Sequence, residues 1–315
     1  MHREPASRSL RRGDARRLLG DQQQGGRSHL IRIGTCSWAD DGLIKRWYPK
    51  GVSSPAARLA YYAERFDTVE VDSPFYHLPS PETAAKWAER TTEGFVFHAK
   101  ASKGMTGHEE ADRERAFAEF REALAPLETA GKLRGVLLQY PPRFKKSTEA
   151  MEELKAAAPL LDPLVPLVEF RHRSWVEEDE RADTFSFLER HGLSYVSVDS
   201  PRGNASNIMP RIADATHPVA YVRFHGRNWR TWNLKGKTSA ERFDWLYDRE
   251  ELAEWVEPLA ELDQRSEEVY AMLNNNRYDY APQSARLLRQ LLDEREIPAS
   301  GAVEPPETGQ LSLVT

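Results

Sequence analysis

Charged side chains lie at the ends of five apolar, β-rich runs of this 315-residue sequence. Four runs end on charged or ionisable residues two apart and one ends on a single carboxylate: Glu70 and Asp72, His98 and Lys100, Glu169 and Arg171, Arg223 and His225, and Asp199. Side chains two positions apart on a strand point to the same face. Charges therefore arrive repeatedly on one face at one end of several strands, which predicts a site for chemistry.

The charges in this set suit acid–base chemistry on an anionic or polyhydroxylated substrate. Burial can raise a carboxyl pKa toward neutrality, and histidine titrates near neutral pH, so the catalytic candidates are Glu70, Glu169 and Asp199 as base and His225 as acid. Lysine and arginine bind phosphate or carboxylate groups, arginine with two parallel hydrogen bonds. The candidate cations are Lys100, Arg171 and Arg223.

A metal centre is the alternative use of the same residues. Zn or Mn could be held by carboxylates and a histidine from different strands, with Glu70, Glu169, Asp199 and His225 as ligands. The sequence has no HExxH, CxxC or paired-histidine motif, and the neighbouring cations would repel a metal ion. We therefore expect no cofactor and no metal, with a divalent ion as the open alternative.

The elements that must position these residues alternate between two hydrophobic periods. Eight strand-like runs, from "LIRIGT" to "EVYAMLN", alternate with amphipathic helical segments. This alternation favours a parallel sheet, and eight units within about 265 residues are typical of a closed (β/α)8 TIM-type barrel. An open doubly wound sheet is the alternative, but "GTCSWADDG" after the first strand is not the glycine-rich phosphate loop of that fold.

In such a barrel, chemistry occurs at the C-terminal ends of the strands, where these charges lie. Outward-facing charges would press into the helix layer at a high desolvation cost, so we expect them to point inward. The alternative is an ion-pair network that only fills the mouth of the barrel. Buried ion pairs stabilise poorly compared with packed hydrophobic side chains, which favours a functional site.

Composition excludes several classes of protein. With 40% hydrophobic residues and a net charge of −5, the chain is neither a fibre nor a globally basic nucleic-acid binder. No apolar run approaches the roughly 20 residues that a membrane span requires, and the N-terminus lacks the apolar core of a signal peptide. The single cysteine, Cys36, allows no intramolecular disulfide. A cytoplasmic protein is expected.

Three zones divide the chain. Residues 1–28 are rich in Arg, Gln, Gly and Ser and are expected to be a disordered basic tail. Residues 298–315, rich in Pro, Gly and Glu, are expected to be a second disordered tail. Residues 29–297 are expected to form the barrel. The sequence leaves the oligomeric state open.

A basic segment after the seventh strand carries two tryptophans. "GRNWRTWNLKGKTSAER" combines Trp229 and Trp232 with five Lys or Arg residues and one Glu. Such a segment could stack bases while binding phosphates, or form a lid over a small ligand at the mouth. Alternatively, both tryptophans pack beneath the loop.

Eight phrases in order resemble the DUF72 (YecE-like) family over residues 30–293. They include "IGTCSW", "YYAERFDTVEVDSPFYHLPSPETAAKW", "FVFHAKASKGMTGH", "GVLLQYPPRF", "VEFRHRSW" and "YVRFHGR". The resemblance implies a TIM barrel and no known reaction. It marks as characteristic polar positions Glu70, Tyr76, Lys100, His108, Gln139, Glu169, Arg171, Trp175, Arg223, His225 and Asn275.

The resemblance adds to the predicted substrate-binding set. Gln139 and Asn275 would orient hydroxyl or amide groups, and Tyr76 and His108 would line the mouth. Departures from the family pattern are Asp72, where many members have Asn, and "TGH", where many read Thr-His. The predicted function is an enzyme, a hydrolase or isomerase, acting on a small anionic or sugar-like ligand. The alternative is a non-catalytic barrel that binds an anionic ligand or nucleic acid.

Overall fold

The computed structural model describes residues 30–234, 236 and 238–304, and their sheet closes into an eight-stranded parallel barrel. The barrel strands are β1 (Ile31–Thr35), β2 (Thr68–Val71), β3 (Val96–Lys100), β4 (Leu133–Gln139), β5 (Val165–Glu169), β6 (Ser194–Asp199), β7 (Val219–Phe224) and β8 (Glu268–Leu273). Strand β1 closes the barrel by pairing with both β8 and β2. The predicted (β/α)8 fold is confirmed.

Helices form the outer layer. They are α1 (Asp41–Arg46), α2 (Pro55–Ala63), α3 (Pro81–Glu89), α4 (Arg113–Thr129), α5 (Thr148–Leu161), α6 (Arg181–Arg190), α7 (Ser239–Arg242), α8 (Arg249–Ala253), α9 (Val256–Arg265) and α10 (Tyr280–Asp293). The connection between β6 and β7, residues 200–218, is fully described and contains no helix. The outer side of β6 is covered in part by α6, where the ring centroids of Phe185 and Tyr195 lie 4.8 Å apart.

Local sequence signals explain where the longer helices begin. Ser54, Ser80 and Ser147 precede α2, α3 and α5, and each side chain accepts a hydrogen bond from a backbone N–H in the first turn. Helices α2 and α3 also have proline at the first position, where its missing N–H costs nothing. No helix among the described residues has the length and apolar character needed to cross a bilayer.

The strand register decides which side chains face the barrel interior. Val198 pairs with Arg223, and Asp199 pairs with Phe224. Phe224 packs against Trp255 in the helix layer, with ring centroids 5.2 Å apart. Residues paired across a parallel sheet point to the same side, so Arg223 and Val198 face the interior and Asp199 faces outward.

The ordered structure continues past the C-terminal boundary expected from the sequence. Ala299–Ser300 forms a short ninth strand, β9, which pairs with Ile31 and Arg32 of β1. Ser300 donates its hydroxyl to Asp67 at 2.6 Å, and Ala302 is buried. The barrel unit therefore extends beyond residue 297, which corrects the expected start of the C-terminal tail. The expected tail over 1–28, and residues 305–315, lie outside the described residues.

Candidate active site

Arg223 of β7 joins two strands across the interior of the barrel. Its Nη2 donates to Glu70 Oε1 at 2.5 Å and its Nη1 donates to Glu169 Oε2 at 2.6 Å. All three side chains are fully buried. Tyr221 donates its hydroxyl to the second oxygen of Glu70 at 2.9 Å. The predicted inward orientation of these charges places them in one network at the C-terminal ends of β2, β5 and β7.

Glu169 is surrounded by positive charge and hydrogen-bond donors. Arg171 pairs with it through Nε, and His225 Nε2 lies 3.2 Å from its Oε1. Burial alone would raise the pKa of Glu169, but Arg171, Arg223 and His225 hold that pKa well below its usual value. Glu169 is therefore a permanent anion that orients its neighbours, and this disfavours its predicted role as a general base.

His225 is held as a neutral imidazole. Asn274 Nδ2 lies 2.8 Å from His225 Nδ1, while His225 Nε2 lies 3.2 Å from Glu169 Oε1 and 3.1 Å from Arg171 Nη2. Burial and the neighbouring Arg171 lower the pKa of His225 to about 3. A ring that stays neutral and buried between Glu169 and Arg171 is poorly suited to the predicted role of general acid.

Glu70 has the opposite protonation behaviour to Glu169. Burial raises its pKa to about 7 despite the charge of Arg223, and the nearby Asp72 carboxylate adds to the rise. Asp72 Oδ1 lies 3.9 Å from Arg223 Nη2, and the Asp72 side chain is 24% exposed. Glu70 and Asp72 thus place a carboxyl group that titrates near neutral pH beside a carboxylate that solvent reaches.

A further carboxyl group, Asp40, lies at the same side of the mouth, and sequence reasoning missed it. Asp40 precedes α1, on the loop after β1. Burial and the charge of Asp72 raise the pKa of Asp40 to about 7. Its sequence signal is "SWADDG", directly after the first strand and therefore on the catalytic face. Asp40, Glu70 and Asp72 form the carboxyl cluster of this site.

The cationic side of the mouth consists of Arg171 and Lys100. Arg171 donates to Gln139 Oε1 at 3.3 Å and its guanidinium lies 5.4 Å from the ring centroid of Trp232. The Lys100 ammonium lies 4.5 Å above the Phe75 ring, and within the described residues no carboxylate lies within ion-pair distance of it. The predicted binding residues Lys100, Arg171 and Gln139 are therefore brought to one rim.

Two other predicted rim residues occupy the loops after β2 and β3. His108 Nδ1 lies 2.8 Å from the Thr106 hydroxyl, and its ring meets Phe75 edge-on at 5.0 Å. Burial and the cations around it, Lys100 first, lower the pKa of His108 to about 4. Tyr76 is 58% exposed at the edge of the mouth, near Lys103. Both residues lie where a ligand at the rim would touch them.

The two tryptophans of the basic segment after β7 lie in different environments. Trp232 is 8% exposed and packs with Phe243 and Arg171 over His225. Phe243 stacks directly on the His225 ring at 5.1 Å. Trp229 is 67% exposed, beside Arg230. Trp232 therefore packs beneath the segment and Trp229 lies on its outer side, while a lid over a bound ligand stays a prediction. Lys235 and Lys237 lie outside the described residues.

Asp199 lies outside the mouth, on the outer side of the barrel wall, which disfavours its predicted catalytic role. Its carboxylate accepts hydrogen bonds from Trp255 Nε1 at 2.7 Å and from the Tyr247 hydroxyl at 2.6 Å. Arg227 also binds it through Nε and Nη2. These partners all lie on the outer side of the barrel wall, where the register of β6 directs Asp199.

Asn275 is the second misplaced candidate. Its Nδ2 donates to Ser284 of α10 and to the Trp245 carbonyl, both at 2.9 Å, so it anchors the helix layer rather than a substrate. Asn274 is the residue that reaches the site, through His225. The alternation of "EVYAMLN", with Tyr270 inward, would have selected Asn274.

The structure does not assemble the predicted metal ligands. Asp199 faces outward, and Arg223 lies between Glu70 and Glu169. Over the described ranges, no group of three or more His, Cys, Asp or Glu side chains is placed to hold an ion. Cys36 is buried near Glu70, and burial together with that carboxylate raises the pKa of its thiol well above the usual value. A thiol held protonated is a poor nucleophile.

Comparison with known proteins identifies relatives along nearly the whole described chain. The family described as "Protein of unknown function DUF72" matches residues 32–309. The UPF0759 protein YunF of Bacillus subtilis (strain 168) is 31% identical over 272 residues, which cover 84% of this chain and 95% of YunF. The UPF0759 protein YecE of Escherichia coli (strain K12) is 28% identical over 282 residues, 87% of this chain and 96% of YecE.

A solved structure shares the same architecture. The crystal structure of a DUF72 family protein from Thermotoga maritima MSB8 superposes with a TM-score of 0.74 at 31% sequence identity. The match covers 84% of this chain and 100% of that chain. The resemblance noted in the sequence is therefore confirmed along the length of the barrel.

Proposed function

Because this chain belongs to the DUF72 family, whose function is unknown, its activity must be argued from its own site, and we propose an enzyme that performs acid–base chemistry on a small anionic substrate. The substrate would be a phosphorylated or polyhydroxylated compound bound at the mouth of the barrel. The reaction class would be isomerisation or hydrolysis, both of which need a proton moved to or from the substrate.

The observation that supports this proposal is the division of the mouth into a carboxyl side and a cationic side. Asp72 and Asp40 lie on the loops after β2 and β1, whereas Arg171 and Lys100 lie at the ends of β5 and β3. Glu70 pairs in register with His98, and continuing that register by two residues sets Asp72 beside Lys100. A substrate anchored by its anionic group to the cations would present its neighbouring carbon or oxygen atoms to the carboxyls.

The roles divide between groups that reach solvent and groups that position them. Asp72 would exchange the proton with the substrate, with Asp40 beside it as the second carboxyl group. Glu70 lies beneath them and, with a pKa near 7, can take up or release a proton at physiological pH. Glu169, His225 and Arg223 would fix Arg171 in place. This arrangement revises the assignment of His225 and Asp199 made from the sequence.

A non-catalytic anion-binding barrel is the second candidate, and one observation favours it. Glu70, Glu169, Arg223 and His225 are each at most 1% exposed, and most of their polar atoms are already hydrogen-bonded to one another. A saturated network could serve only to hold Arg171 for binding. In that case, ligand affinity would depend on salt and no substrate would be converted.

The test is proton NMR of the full chain with a panel of sugar phosphates in D2O. Deuterium incorporation or a new sugar signal reports isomerisation, and release of inorganic phosphate reports hydrolysis. Asp72→Asn should lower turnover about 100-fold while ligand binding persists, as expected for loss of a general base. Lys100→Ala should instead weaken binding. Glu152→Gln, an exposed carboxylate on α5, serves as the matched control.

Two results would overturn this assignment. Wild-type turnover by Asp72→Asn would exclude the carboxyl side from the chemistry. Binding that Lys100→Ala weakens, without conversion of any compound by the wild-type protein, would favour the binding barrel instead.

A further inference from the structure

A separate cavity lies on the outer side of the barrel wall, behind the ends of β5, β6 and β7. Its volume is about 300 Å³, and four arginines line it: Arg173, Arg202, Arg211 and Arg227. Asp199, which faces away from the barrel axis, forms part of the same lining. Strand β6 therefore separates this arginine pocket from the mouth.

The irregular β6–β7 connection holds the pocket in shape. Arg202 follows Pro201 and Arg211 follows Pro210, and each proline fixes its own φ angle and so restricts the loop beside the arginine. The backbone N–H of Arg173 donates to the Ser206 carbonyl at 2.8 Å, which ties the β5 loop to this connection. The arginines are thus presented by a loop that is fixed on its β5 side.

Contacts with the segment after β7 hold the β6–β7 connection from its other side. Trp232 Nε1 donates to the Asn207 carbonyl at 3.4 Å, which ties the β7 segment to the same loop. Ile208 and Met209, 8% and 4% exposed, give the pocket an apolar wall. A pocket built before its ligand arrives loses less entropy on binding.

Positive charge in the pocket exceeds the negative charge that compensates it. Glu254 alone is shared by three guanidinium groups: it accepts from Arg202 Nη2 at 3.0 Å with each oxygen, from Arg227 Nη2 at 3.0 Å, and from Arg211. Asp199 is bound by Arg227. Counting Glu251, whose Oε1 lies 3.9 Å from Arg227 Nη1, four guanidinium groups still face only three carboxylates.

Among these four arginines, Arg173 is the one whose positive charge is not paired with a carboxylate in the described part of the chain. Its side chain makes no hydrogen bond or ion pair to any residue in the part of the chain that the structure describes, although its backbone is held. Arg202 and Arg211 also keep donors that Glu254 does not use, since a guanidinium carries five N–H groups. Unused arginine donors around a half-enclosed cavity are suited to an oxyanion.

The geometry points to a second ligand site, in which the arginine pocket binds the phosphate group of a small phosphate ester independently of the mouth. Several guanidinium groups converging on one cavity match the charge and the several acceptor oxygens of a phosphate better than a single carboxylate would. The volume is at the lower limit for small-molecule sites, about 300 Å³, which suits a compact ligand or the phosphorylated end of a larger one. When no ligand is bound, Glu254 pairs with Arg202, Arg211 and Arg227.

Calorimetric titration of the full chain with inorganic pyrophosphate at low ionic strength tests this site. Arg173→Ala should weaken binding about tenfold, since it removes a charge-assisted contact. Glu254→Gln should tighten binding about fivefold, because it frees three guanidinium groups from a competing carboxylate. Opposite shifts from these two substitutions are not expected from a change in overall stability.

Matched controls separate this site from general charge effects and from the mouth. Arg115 has the same 75% side-chain exposure as Arg202 and also pairs with a glutamate, so Arg115→Ala should leave the isotherm unchanged while Arg202→Ala weakens it. Glu250→Gln, one turn from Glu254, is the carboxylate control. Pyrophosphate bound at the mouth would respond to Lys100→Ala and not to Glu254→Gln.

The proposal is overturned if pyrophosphate does not bind, or if Arg173→Ala and Glu254→Gln leave its affinity at the wild-type value. If Arg173→Ala does not fold, as judged by its melting curve, the exposed Arg202→Ala takes its place in this comparison. None of these outcomes depends on turnover at the mouth, so failure of this site and failure of the proposed reaction are distinguishable.

Discussion

Among individual residues, His98 shows how the barrel interior controls protonation. Its ring lies between Tyr221 and Tyr270, with centroids 4.9 Å and 4.3 Å away, and neither ring nitrogen has a hydrogen-bond partner among the described residues. Burial, with smaller contributions from Arg134 and Arg32, lowers the pKa of His98 to about 3. The ring is neutral at physiological pH and must charge at a cost when the pH falls.

Replacing His98 by Phe should flatten the acid side of the stability profile. A folded-state pKa of about 3, against 6.5 in the unfolded chain, means that His98 contributes stability above pH 6.5 that is lost as the pH falls from 6.5 toward 3. His98→Phe should reduce the slope of unfolding free energy by about 1.4 kcal/mol per pH unit in that window. Urea unfolding between pH 4 and pH 9 measures it.

The comparison above pH 7 is the internal control for this prediction. There the difference between His98→Phe and wild type should be constant, because any packing cost of the larger ring does not depend on pH. Equal slopes for the two proteins between pH 4.5 and pH 6 would show that His98 is charged, or solvated, in the folded state.

Among the elements, the segment after β7 lies over one of the buried ionisable side chains of the mouth, His225. Trp232 and Phe243 lie over His225, and Thr231 donates to the Arg242 carbonyl at 2.9 Å, which closes the segment on itself. Trp232→Ala should remove this cover and leave the segment more open. Hydrogen–deuterium exchange by mass spectrometry should show faster exchange in peptides spanning 226–245.

Trp229→Ala is the matched control for the lid, since Trp229 is 67% exposed in the same segment. It should leave exchange rates near those of the wild type. Similar acceleration by both substitutions would mean that Trp232 does not hold the segment over His225.

The short ninth strand depends on a glycine. Gly301 has a φ of +79°, and a Cβ there would lie 2.1 Å from the Ile33 carbonyl oxygen. Gly301→Ala should therefore lower the free energy of unfolding by about 3 kcal/mol, the sum of left-handed backbone strain and overpacking. Thermal or urea unfolding monitored by circular dichroism measures the loss.

Gly51 separates the two contributions. Its φ is +98° but no atom lies within 4 Å of an added Cβ, so Gly51→Ala should cost only the strain, about 1–2 kcal/mol. If the two substitutions cost the same, β9 does not pack against β1 as closely as the structure shows.

For the whole molecule, the sequence predicts the barrel and most of its mouth, and its failure at Asp199 has a physical origin. Alternating βα units and charges at strand ends were enough to place Glu70, Glu169, Arg171 and Arg223 together. A barrel strand is buried on both faces, so its apolar pattern does not show which face is inside. That ambiguity misplaced Asp199. Asn275 was selected by the family resemblance instead, which gives a position in the sequence and not the face on which its side chain lies.

Features that depend on contacts distant in sequence were also beyond prediction. The outward Asp199 is stabilised by Arg227, Tyr247 and Trp255, which no local pattern links to it. The protonation of His225 depends on Arg171, 54 residues away in the chain. The arginine pocket likewise combines residues from the β5, β6 and β7 loops, which only the closed barrel brings together.

Arg223 connects β2, β5 and β7 through Glu70 and Glu169, so its replacement tests the barrel as a unit. Arg223→Met keeps similar bulk but leaves two buried carboxylates without their shared cation, and breaking such a pair costs about 4 kcal/mol. At pH 8 the free energy of unfolding should fall by that amount. Without Arg223, burial should raise the pKa of both carboxyls.

The loss should therefore shrink by about 2 kcal/mol at pH 5, where the carboxyls take up protons and no longer need a counter-ion. Urea unfolding of wild type and variant at both pH values measures this change, with Arg115→Met at an exposed ion pair as the control that should change little at either pH. An equal loss at pH 5 and pH 8 would mean that the two carboxylates are stabilised without Arg223. The network would then not be the electrostatic centre that joins the strands of this barrel.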